Sequence, residues 1–359
     1  MSGTKKIVYD NIIFNLQKLG GISTYWFELS KRLCVDEEVN PYFLTAPNDN
    51  ILAKGLNFAD VEKVHSEVSW PKLLGRFINP SLNEINHPFI FHSSYNRITT
   101  NRNAKNVTTV HDLIHHKYYS GLRQWLHNWQ KGNALLNSSR IITVSENTKR
   151  DLLRYFPHLK PDFVKVVYNG VSNDFYELPQ DYMYDFPDSL LKETYLLCFS
   201  SSENYKNFKF TIELASRLPD FKLYIVGPPP NKIETAVLDK LVPRRWTVFS
   251  SITNKKLNEL YNHAFALIYP SSYEGFGIPL LEAMRAACPF IALNSSSIPE
   301  VAGNAGVLVD ELVLWEFQKA IDLIHSQRQE IVNRGKLQCS HFSWDKCYEE
   351  TKLVYEEIL

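Results

Sequence analysis

The sequence lacks long hydrophobic runs, net charge and paired cysteines. Nowhere do about 18 apolar residues follow one another, so we expect no helix that spans a bilayer, and the N-terminal Met1-Ser-Gly-Thr-Lys-Lys leads directly into an apolar run without the features of a signal peptide. The 39 basic and 39 acidic side chains cancel, which excludes a strongly basic nucleic-acid-binding protein. Five cysteines without a C-x-x-C pair predict reduced thiols in a cytoplasmic protein.

Two ligand-binding motifs are also absent. Neither half of the chain contains G-x-G-x-x-G after its first predicted strand, which argues against the dinucleotide site of a dehydrogenase. No two aspartates stand two residues apart, so there is no D-x-D motif to hold a nucleotide diphosphate through a divalent metal. We therefore predict that the protein needs neither a metal nor a cofactor.

Charge is distributed unevenly along the chain. Residues 1–175 carry 21 basic and 15 acidic side chains, whereas residues 176–359 carry 18 and 24. Eight of the eleven histidines lie in the first half. A chain of 359 residues is long enough for two domains at about 150 residues each. The asymmetry predicts two domains that meet different partners.

Short apolar runs alternate with amphipathic stretches of helical length. Strand-like runs occupy Lys6–Tyr9, Phe89–His92, Val107–Val110, Ile141–Val144, Lys165–Val167, Tyr195–Phe199, Lys222–Val226, Trp246–Phe249, Ala266–Tyr269, Phe290–Ala292 and Gly306–Val309. Helix-like stretches occupy Ser23–Leu33, Gly121–Ser138, Glu146–Phe156, Phe208–Leu218, Asn254–His263, Pro279–Ala286 and Val313–Ser326. This alternation predicts an α/β fold with parallel sheets. The polar stretch Asn169–Pro187 separates two series of elements, which indicates two Rossmann-like domains facing each other across a cleft.

The stretch from Ala266 to Met284 carries the clearest sign of chemistry. An apolar strand leads into a loop with Gly275 and Gly277, and a helix follows with Pro279 in its first turn. The helix N-terminus and a loop without side chains suit a diphosphate. Glu274 precedes the loop, where its carboxylate is able to accept hydrogen bonds from sugar hydroxyls. Glu282 lies one turn into the helix, where its carboxylate is able to accept hydrogen bonds from a ribose diol.

The string Glu274-Gly-Phe-Gly-Ile-Pro-Leu-Leu-Glu282, with Pro270-Ser-Ser before it and Ile298-Pro-Glu-Val-Ala-Gly303 after it, resembles the nucleotide-sugar site of retaining glycosyltransferases of family four. That family has the GT-B architecture. Further segments fall in the family's order over nearly the whole chain. The resemblance implies an N-terminal acceptor domain at 1–175, a C-terminal donor domain at 176–341, and a C-terminal helix at 342–359 that crosses back to the N-terminal domain.

The resemblance also implies roles for individual residues. Gly20 and Gly21 correspond to a glycine loop near the donor phosphates, and His111 in Thr109-Val-His111-Asp-Leu corresponds to a histidine that faces the donor sugar. Lys206 in Tyr205-Lys206-Asn207 corresponds to the lysine that binds the diphosphate. His111, Lys206 and Glu274 are the predicted catalytic residues. The predicted donor-binding residues are Gly20, Gly21, Ser200, Lys206, Glu274, Gly275, Phe276, Gly277, Ile278 and Glu282.

The sequence departs from the family pattern at two positions near the lysine. Ser200 stands where the family often has arginine or glycine, and Tyr205 replaces a common arginine. One cation is therefore absent, and Lys206, Gly21 and the N-terminus of the helix after Gly277 are left to bind more of the diphosphate charge.

The implied function is transfer of a sugar, with retention of its anomeric configuration, from a nucleoside diphosphate to a glycan or polyprenyl-diphosphate-linked acceptor in surface polysaccharide or O-antigen synthesis. No carboxylate is assigned as a nucleophile, so front-face displacement is favoured over a double displacement of the glycosidase kind. GDP-mannose is the first candidate donor, and a UDP-sugar is the second. An epimerase or phosphorylase on the same fold, or an inactive scaffold, are the alternatives.

Two segments combine aromatic and basic residues. Lys117–Lys131 and Trp70–Phe77 either contact an anionic membrane or a lipid-linked acceptor, or pack on the N-terminal sheet. The first alternative predicts a cytoplasmic protein that associates peripherally with the inner face of the membrane.

Overall fold

The structure is a computed structural model that describes residues 5–56, 63–66, 75–179, 181–186, 194–201 and 203–359. The chain divides into two compact units. Unit 1 comprises Met1–Asn169 together with Trp344–Leu359, and unit 2 comprises Gly170–Ser343. The boundaries thus lie at Asn169 and Ser343, near the predicted positions 175 and 341. Residues 70–74 of the predicted Trp70–Phe77 segment lie outside the described residues.

Unit 1 contains a parallel sheet of seven strands in the order β3-β2-β1-β4-β5-β6-β7. The strands are β1 (Lys5–Asp10), β2 (Val39–Thr45), β3 (Lys63–Ser66), β4 (Phe89–Ser93), β5 (Ala104–Val110), β6 (Arg140–Thr143) and β7 (Val164–Val166). The described helices are α1 (Ile13–Leu16), α2 (Gly21–Leu33), α3 (Ile114–Lys117), α4 (Leu122–Leu136), α5 (Glu146–Tyr155) and, from the chain terminus, α12 (Trp344–Glu356). A 3-10 turn follows at Ala53–Gly55 and another at Pro161–Phe163.

Unit 2 contains a parallel sheet of six strands in the order β10-β9-β8-β11-β12-β13. The strands are β8 (Tyr195–Phe199), β9 (Lys222–Val226), β10 (Trp246–Phe249), β11 (Ala266–Tyr269), β12 (Phe290–Leu293) and β13 (Val307–Val309). The described helices are α6 (Phe208–Ser216), α7 (Lys232–Leu241), α8 (Asn254–His263), α9 (Ile278–Arg285), α10 (Ile298–Ala302) and α11 (Leu314–Cys339). A 3-10 turn occupies Asn204–Lys206.

The central strands β8, β11 and β12 consist of apolar residues that are nearly all buried, as is typical of a parallel sheet covered on both faces. In unit 2, the core combines aliphatic side chains of the central strands with Phe208 and Ile212 of α6 and Phe317 and Ile324 of α11. Each sheet reverses its strand order once, next to its first strand, as in a doubly wound Rossmann-like domain. The predicted α/β class with two Rossmann-like domains is confirmed.

No helix of the described residues is long and apolar enough to cross a bilayer. All five cysteines lie in the described part of the chain and form no disulfide, and four of them are buried. Burial raises the pKa of the Cys34 and Cys339 thiols to about 11, so these groups stay protonated at neutral pH.

Candidate active site

The strand order of unit 2 reverses between β8 and β11, and ligands of doubly wound sheets bind at such a point, outside the carboxyl ends of the strands. The connection after β8 contains Lys206, and the connection after β11 contains Glu274. The fold therefore brings together two residues that are 68 positions apart in the sequence.

The two side chains form an ion pair. Lys206 Nζ lies 2.8 Å from Glu274 Oε1, and their side chains are 29% and 11% exposed. Lys206 Nζ also lies 5.9 Å from the centre of the Tyr269 ring, and the Tyr269 hydroxyl bonds to the Glu274 carboxylate. Burial, followed by the neighbouring Glu274 charge, raises the pKa of Tyr269 well above its ordinary value, so this hydroxyl remains a donor. The lysine ammonium group is thus held by an ion pair and remains partly open to solvent.

Serine hydroxyls fix the backbone around Glu274. The Glu274 N–H donates to Ser296 Oγ at 2.8 Å. The Ser297 hydroxyl lies 2.9 Å from the carbonyl oxygens of both Glu274 and Phe276 and is fully buried. These serines were not predictable from the sequence, since hydroxyl residues in a loop are typical of ordinary turns.

A second set of bonds joins the lysine loop to the same segment. Asn207 adopts a left-handed conformation with φ 53°, and its amide donates to Pro270 O at 2.8 Å and to Ser272 Oγ at 2.7 Å. The Ser272 N–H donates to Tyr205 O at 2.7 Å, and the Ser295 hydroxyl donates to Ser272 O at 2.7 Å. Lys206 and Glu274 therefore stand on loops that hold each other in place.

Helix α9 begins directly after the glycine loop. Gly277 precedes it with φ 111°, a conformation that disfavours any residue with a Cβ atom. Pro279 occupies the first turn, where its missing N–H costs nothing. The Leu280 N–H donates to Gly277 O at 3.0 Å, whereas the Ile278 N–H, at the first position of the helix, has no carbonyl acceptor within the helix. Phe276 is buried, and its ring lies 5.9 Å from that of Phe342.

Glu282 lies one turn into α9 and is paired with a tyrosine. The Tyr261 hydroxyl of α8 donates to Glu282 Oε2 at 3.0 Å. Burial raises the pKa of the Glu282 carboxyl to about 7, and the hydrogen bond from Tyr261 offsets part of this rise. Tyr261 itself is fully buried and was not singled out from the sequence. This carboxyl changes its charge in the physiological range.

Ser200 follows β8, and its hydroxyl is engaged by the chain. Ser200 Oγ donates to Pro228 O at 2.6 Å. A Cβ atom on Gly227, whose φ is 128°, would lie 2.6 Å from Ser200 Oγ. The serine thus packs closely against the turn that follows β9.

In unit 1, the predicted glycines lie at the start of α2. Gly20 has an extended backbone, and its carbonyl oxygen accepts hydrogen bonds from the Ser23 and Thr24 hydroxyls. A Cβ atom on Gly20 would lie 2.9 Å from Gln17 Oε1, whereas one on Gly21 would meet no described atom within 4 Å. Packing within the described residues therefore does not explain the glycine at position 21.

His111 follows β5 and packs against α2. Its ring lies edge-on to the Tyr25 ring at 4.8 Å, and its Nε2 atom is buried without a hydrogen-bond partner among the described residues. Burial lowers the pKa of His111 to about 4; Asp112 opposes and Lys131 reinforces the shift. The imidazole is therefore neutral at pH 7.

Unit 2 thus assembles Lys206, Glu274, the 275–278 loop and Glu282. In unit 1, Gly21 and Tyr25 both lie on α2, and the Tyr25 ring contacts His111. No group of three or more histidine, cysteine, aspartate or glutamate side chains suited to a metal occurs in the described ranges.

Two family models match the two halves of the chain. Residues 185–336 match the model described as glycosyl transferases group 1. Residues 19–175 match the model described as glycosyltransferase family 4.

Curated relatives include bacterial O-antigen enzymes. The chain is 28% identical to the O-antigen chain mannosyltransferase B of Escherichia coli, over 94% of this chain and 96% of that protein. It is 26% identical to the O-antigen chain mannosyltransferase RfbU of Salmonella typhimurium, over 66% of this chain and 65% of that protein.

Solved structures share the fold over the full length. The structure of Anabaena HepE in complex with UDP and glucose matches with a TM-score of 0.76 at 14% identity, covering 99% of this chain and 100% of that chain. Sucrose-phosphate synthase from Thermosynechococcus elongatus matches with a TM-score of 0.77 at 16% identity, covering 99% of both chains.

Proposed function

The chain belongs to the group 1 glycosyltransferases, with the GT-B fold, and from this premise we propose that it transfers a hexose from a nucleoside diphosphate sugar to a glycan acceptor and retains the anomeric configuration. The observation that carries the proposal is the Lys206–Glu274 pair at the point where the strand order of unit 2 reverses. A cation for the diphosphate and a carboxylate for the sugar hydroxyls are there held 2.8 Å apart.

Each part of the unit 2 site has a role in this reaction. Lys206 and the N-terminus of α9 stabilise the negative charge that develops on the leaving diphosphate. Glu274 accepts hydrogen bonds from hydroxyls of the transferred sugar. Glu282 accepts hydrogen bonds from the ribose, and Tyr261 holds its carboxyl in place. The Gly275–Gly277 loop allows the backbone to approach the phosphates.

The reaction itself is a front-face displacement. The bond between the anomeric carbon and the diphosphate oxygen breaks, the acceptor oxygen bonds to the same face of the sugar, and the acceptor proton passes to the departing phosphate oxygen. The protein supplies positioning and electrostatic stabilisation, and no side chain forms a covalent intermediate. Neutral His111 bonds to a donor-sugar hydroxyl, and the Gly20-Gly21 segment approaches the phosphates.

We propose that this transfer needs no metal and no cofactor. Lys206 and the first turn of α9 provide the positive charge that a divalent cation would otherwise supply. The expected consequence is activity in the presence of a chelator.

GDP-mannose is the proposed donor, and the O-antigen mannosyltransferases among the relatives support it. A UDP-sugar is the alternative, and the structures of Anabaena HepE with UDP and with glucose support that donor. The proposed acceptor is a glycan or a polyprenyl-diphosphate-linked oligosaccharide of surface polysaccharide synthesis.

We further propose that unit 1 associates with an anionic membrane surface on the cytoplasmic side. Four large apolar side chains of α4 are exposed at spacings of three, four and seven residues: Leu122 at 72%, Trp125 at 61%, Trp129 at 57% and Leu136 at 66%. Between Asp112 and Glu146 the sequence has four lysines and arginines and no carboxylate. Exposed tryptophans within a basic segment suit the interface of an anionic bilayer.

The test is a panel of nucleotide sugars. In thermal-shift measurements with the full chain, the true donor raises the melting temperature because it binds the folded state. Incubation with donor and acceptor then yields a glycosylated acceptor and one nucleoside diphosphate per transfer. An epimerase instead releases an altered sugar without an acceptor, a phosphorylase releases a sugar phosphate, and a scaffold binds no donor; each of these results overturns the proposal.

A further inference from the structure

A continuous chain of buried hydrogen bonds runs through the interior of unit 1. The Tyr9 hydroxyl lies 3.0 Å from the Tyr355 hydroxyl, which lies 2.6 Å from His92 Nδ1. On the other side of the ring, His92 Nε2 lies 2.8 Å from Thr109 Oγ1, which lies 3.3 Å from the Tyr25 hydroxyl. All five residues are buried. The chain thus links three strands and α2 to the C-terminal helix α12.

One direction of donation satisfies every hydroxyl hydrogen in the chain. Tyr9 donates to Tyr355, and Tyr355 donates to His92 Nδ1. His92 Nε2–H then donates to Thr109, and Thr109 donates to Tyr25.

Beyond Tyr25, the hydrogen-bond chain continues to helix α12. The Tyr25 hydroxyl has a hydrogen-bonding partner in Thr351, whose own hydroxyl donates to Cys347 O at 2.7 Å. In the reverse direction, the Tyr9 hydrogen meets no acceptor in the part of the chain that the structure describes, and buried hydroxyls are rarely left in that state. Burial lowers the pKa of His92 to about 3, an effect that the nearby His111 reinforces, so the ring is neutral and carries the single N–H that this arrangement requires.

Tyr25, the last of the five residues in the hydrogen-bond chain, packs against the histidine of the proposed site. The centre of the Tyr25 ring lies 4.8 Å from that of His111 and 6.1 Å from that of Trp344 on α12, and both contacts are edge-on. His111 Nε2 has no hydrogen-bond partner among the described residues. The edge-on contact with the Tyr25 ring therefore restricts the orientation of this imidazole, which its Nε2 atom does not fix through a hydrogen bond.

We propose that the buried hydrogen-bond chain centred on His92 positions His111 for its contact with the donor sugar. Helix α12 contributes to this positioning through Tyr355, whose hydroxyl bonds to His92. Thr109 and Tyr25 are then positioning residues, and neither touches substrate. The proposal rests on the proposed function, because it concerns how His111 serves that reaction.

The decisive variant is Thr109→Val, which keeps the shape of the side chain and removes the central hydroxyl. It leaves His92 Nε2–H without its acceptor and Tyr25 without a donor. The matched control is Thr108→Val on the same strand, which removes a buried hydroxyl that bonds to Ser138 Oγ at 2.7 Å. Each change removes a buried hydroxyl that makes hydrogen bonds and lowers the stability of the fold, so a loss of stability does not separate the two variants.

Activity does separate them. We expect Thr109→Val to lower kcat by about fivefold or more while the KM for donor stays within about twofold, because unit 2 provides most donor contacts. Thr108→Val keeps the kcat of the wild type, and Thr109→Ser restores it. Equal kcat values for Thr109→Val and Thr108→Val overturn the proposal.

A spectroscopic readout is independent of turnover. The ring resonances of His111, assigned with His111→Asn, shift or broaden in Thr109→Val and remain in place in Thr108→Val. Tyr25→Phe, which keeps the ring and removes its hydroxyl, gives the same result and serves if Thr109→Val fails to fold. Unchanged His111 resonances in Tyr25→Phe contradict the proposal. If instead the wild type transfers no sugar, the proposed function has failed, and the resonances still test the link between the chain and His111.

Discussion

Lys206 Nζ donates to Glu274 Oε1 at 2.8 Å, and the loops that carry these residues are joined by Asn207 and Ser272. The pair is partly exposed, so its Coulomb energy contributes little to folding. Its value lies in placement, since it fixes a cation and a carboxylate where two adjacent strands end.

Lys206→Ala removes the cation proposed to bind the diphosphate. Charge-assisted hydrogen bonds contribute about 1.5–3 kcal/mol, so we expect donor affinity to fall by roughly 10- to 100-fold. Isothermal titration with the nucleoside diphosphate measures the change. Lys209→Ala, which changes an exposed lysine in the first turn of α6, three residues after Lys206, is the control and leaves affinity unchanged. Equal affinities for the two variants would remove Lys206 from the site.

The pKa of Glu282 predicts a pH dependence. The carboxylate accepts hydrogen bonds from ribose hydroxyls better than the neutral acid does, so donor affinity rises as the pH passes through about 7 and levels off at higher pH. Glu282→Gln flattens the profile, which separates this titration from that of the nucleotide phosphates. A wild-type profile that coincides with that of Glu282→Gln between pH 5.5 and 8 contradicts the assignment.

The same shift affects stability. The folded state binds the Glu282 proton more tightly than the unfolded chain, whose ordinary pKa is 4.5. This carboxyl therefore contributes stability below about pH 4.5 that is lost as the pH rises through about 7. Urea unfolding across this range shows a smaller decline in Glu282→Gln than in the wild type.

Gly21→Ala tests the glycine segment of unit 1. A methyl group at this position meets no described atom within 4 Å, and alanine favours a helix by up to about 1 kcal/mol over glycine. We expect the melting temperature to stay the same or rise while transfer falls by about fivefold or more. Gly55→Ala, whose methyl group makes an ordinary 3.5 Å contact with Phe27, is the control. Full activity in Gly21→Ala argues against close approach of the donor.

The double substitution of Trp125 and Trp129 by serine tests the membrane proposal. We expect wild-type binding to vesicles that contain phosphatidylglycerol, and loss of most of that binding in the variant, as measured by sedimentation. Trp315→Ser changes a tryptophan of unit 2 that is equally exposed, at 55%, and is the control. If the wild type does not bind anionic vesicles, the exposed side chains serve another partner.

Much of the fold was predictable because parallel strands are continuous apolar runs. The strands β8, β9, β10 and β11 have the predicted bounds. Strand β2 was not predicted, because it contains Pro41 and proline is disfavoured in the interior of a sheet. In the structure β2 nevertheless lies between β1 and β3. Helix α11 continues to Cys339 through Gln327, whose φ of −124° interrupts the helical backbone, beyond the predicted end at Ser326.

The site was predictable only in part. The spacing of Glu274 and Glu282 indicates a ligand, but the partnership of Glu274 with Lys206 depends on strand order, which local sequence does not encode. Ser297 and Tyr261 were missed because each acts through one hydroxyl group, which contacts residues distant in the sequence. Such contacts leave no periodicity in the sequence.

The most direct test of the central claim is a transfer assay with GDP-mannose and a UDP-sugar panel in the presence of a chelator, followed by mass spectrometry of the acceptor and quantification of the nucleoside diphosphate. The account predicts that the wild type and Lys209→Ala add one hexose per nucleoside diphosphate released, and that Lys206→Ala loses at least about nine tenths of this activity. Transfer by Lys206→Ala at the wild-type rate, or no transfer by the wild type from any donor with a competent acceptor, would contradict it.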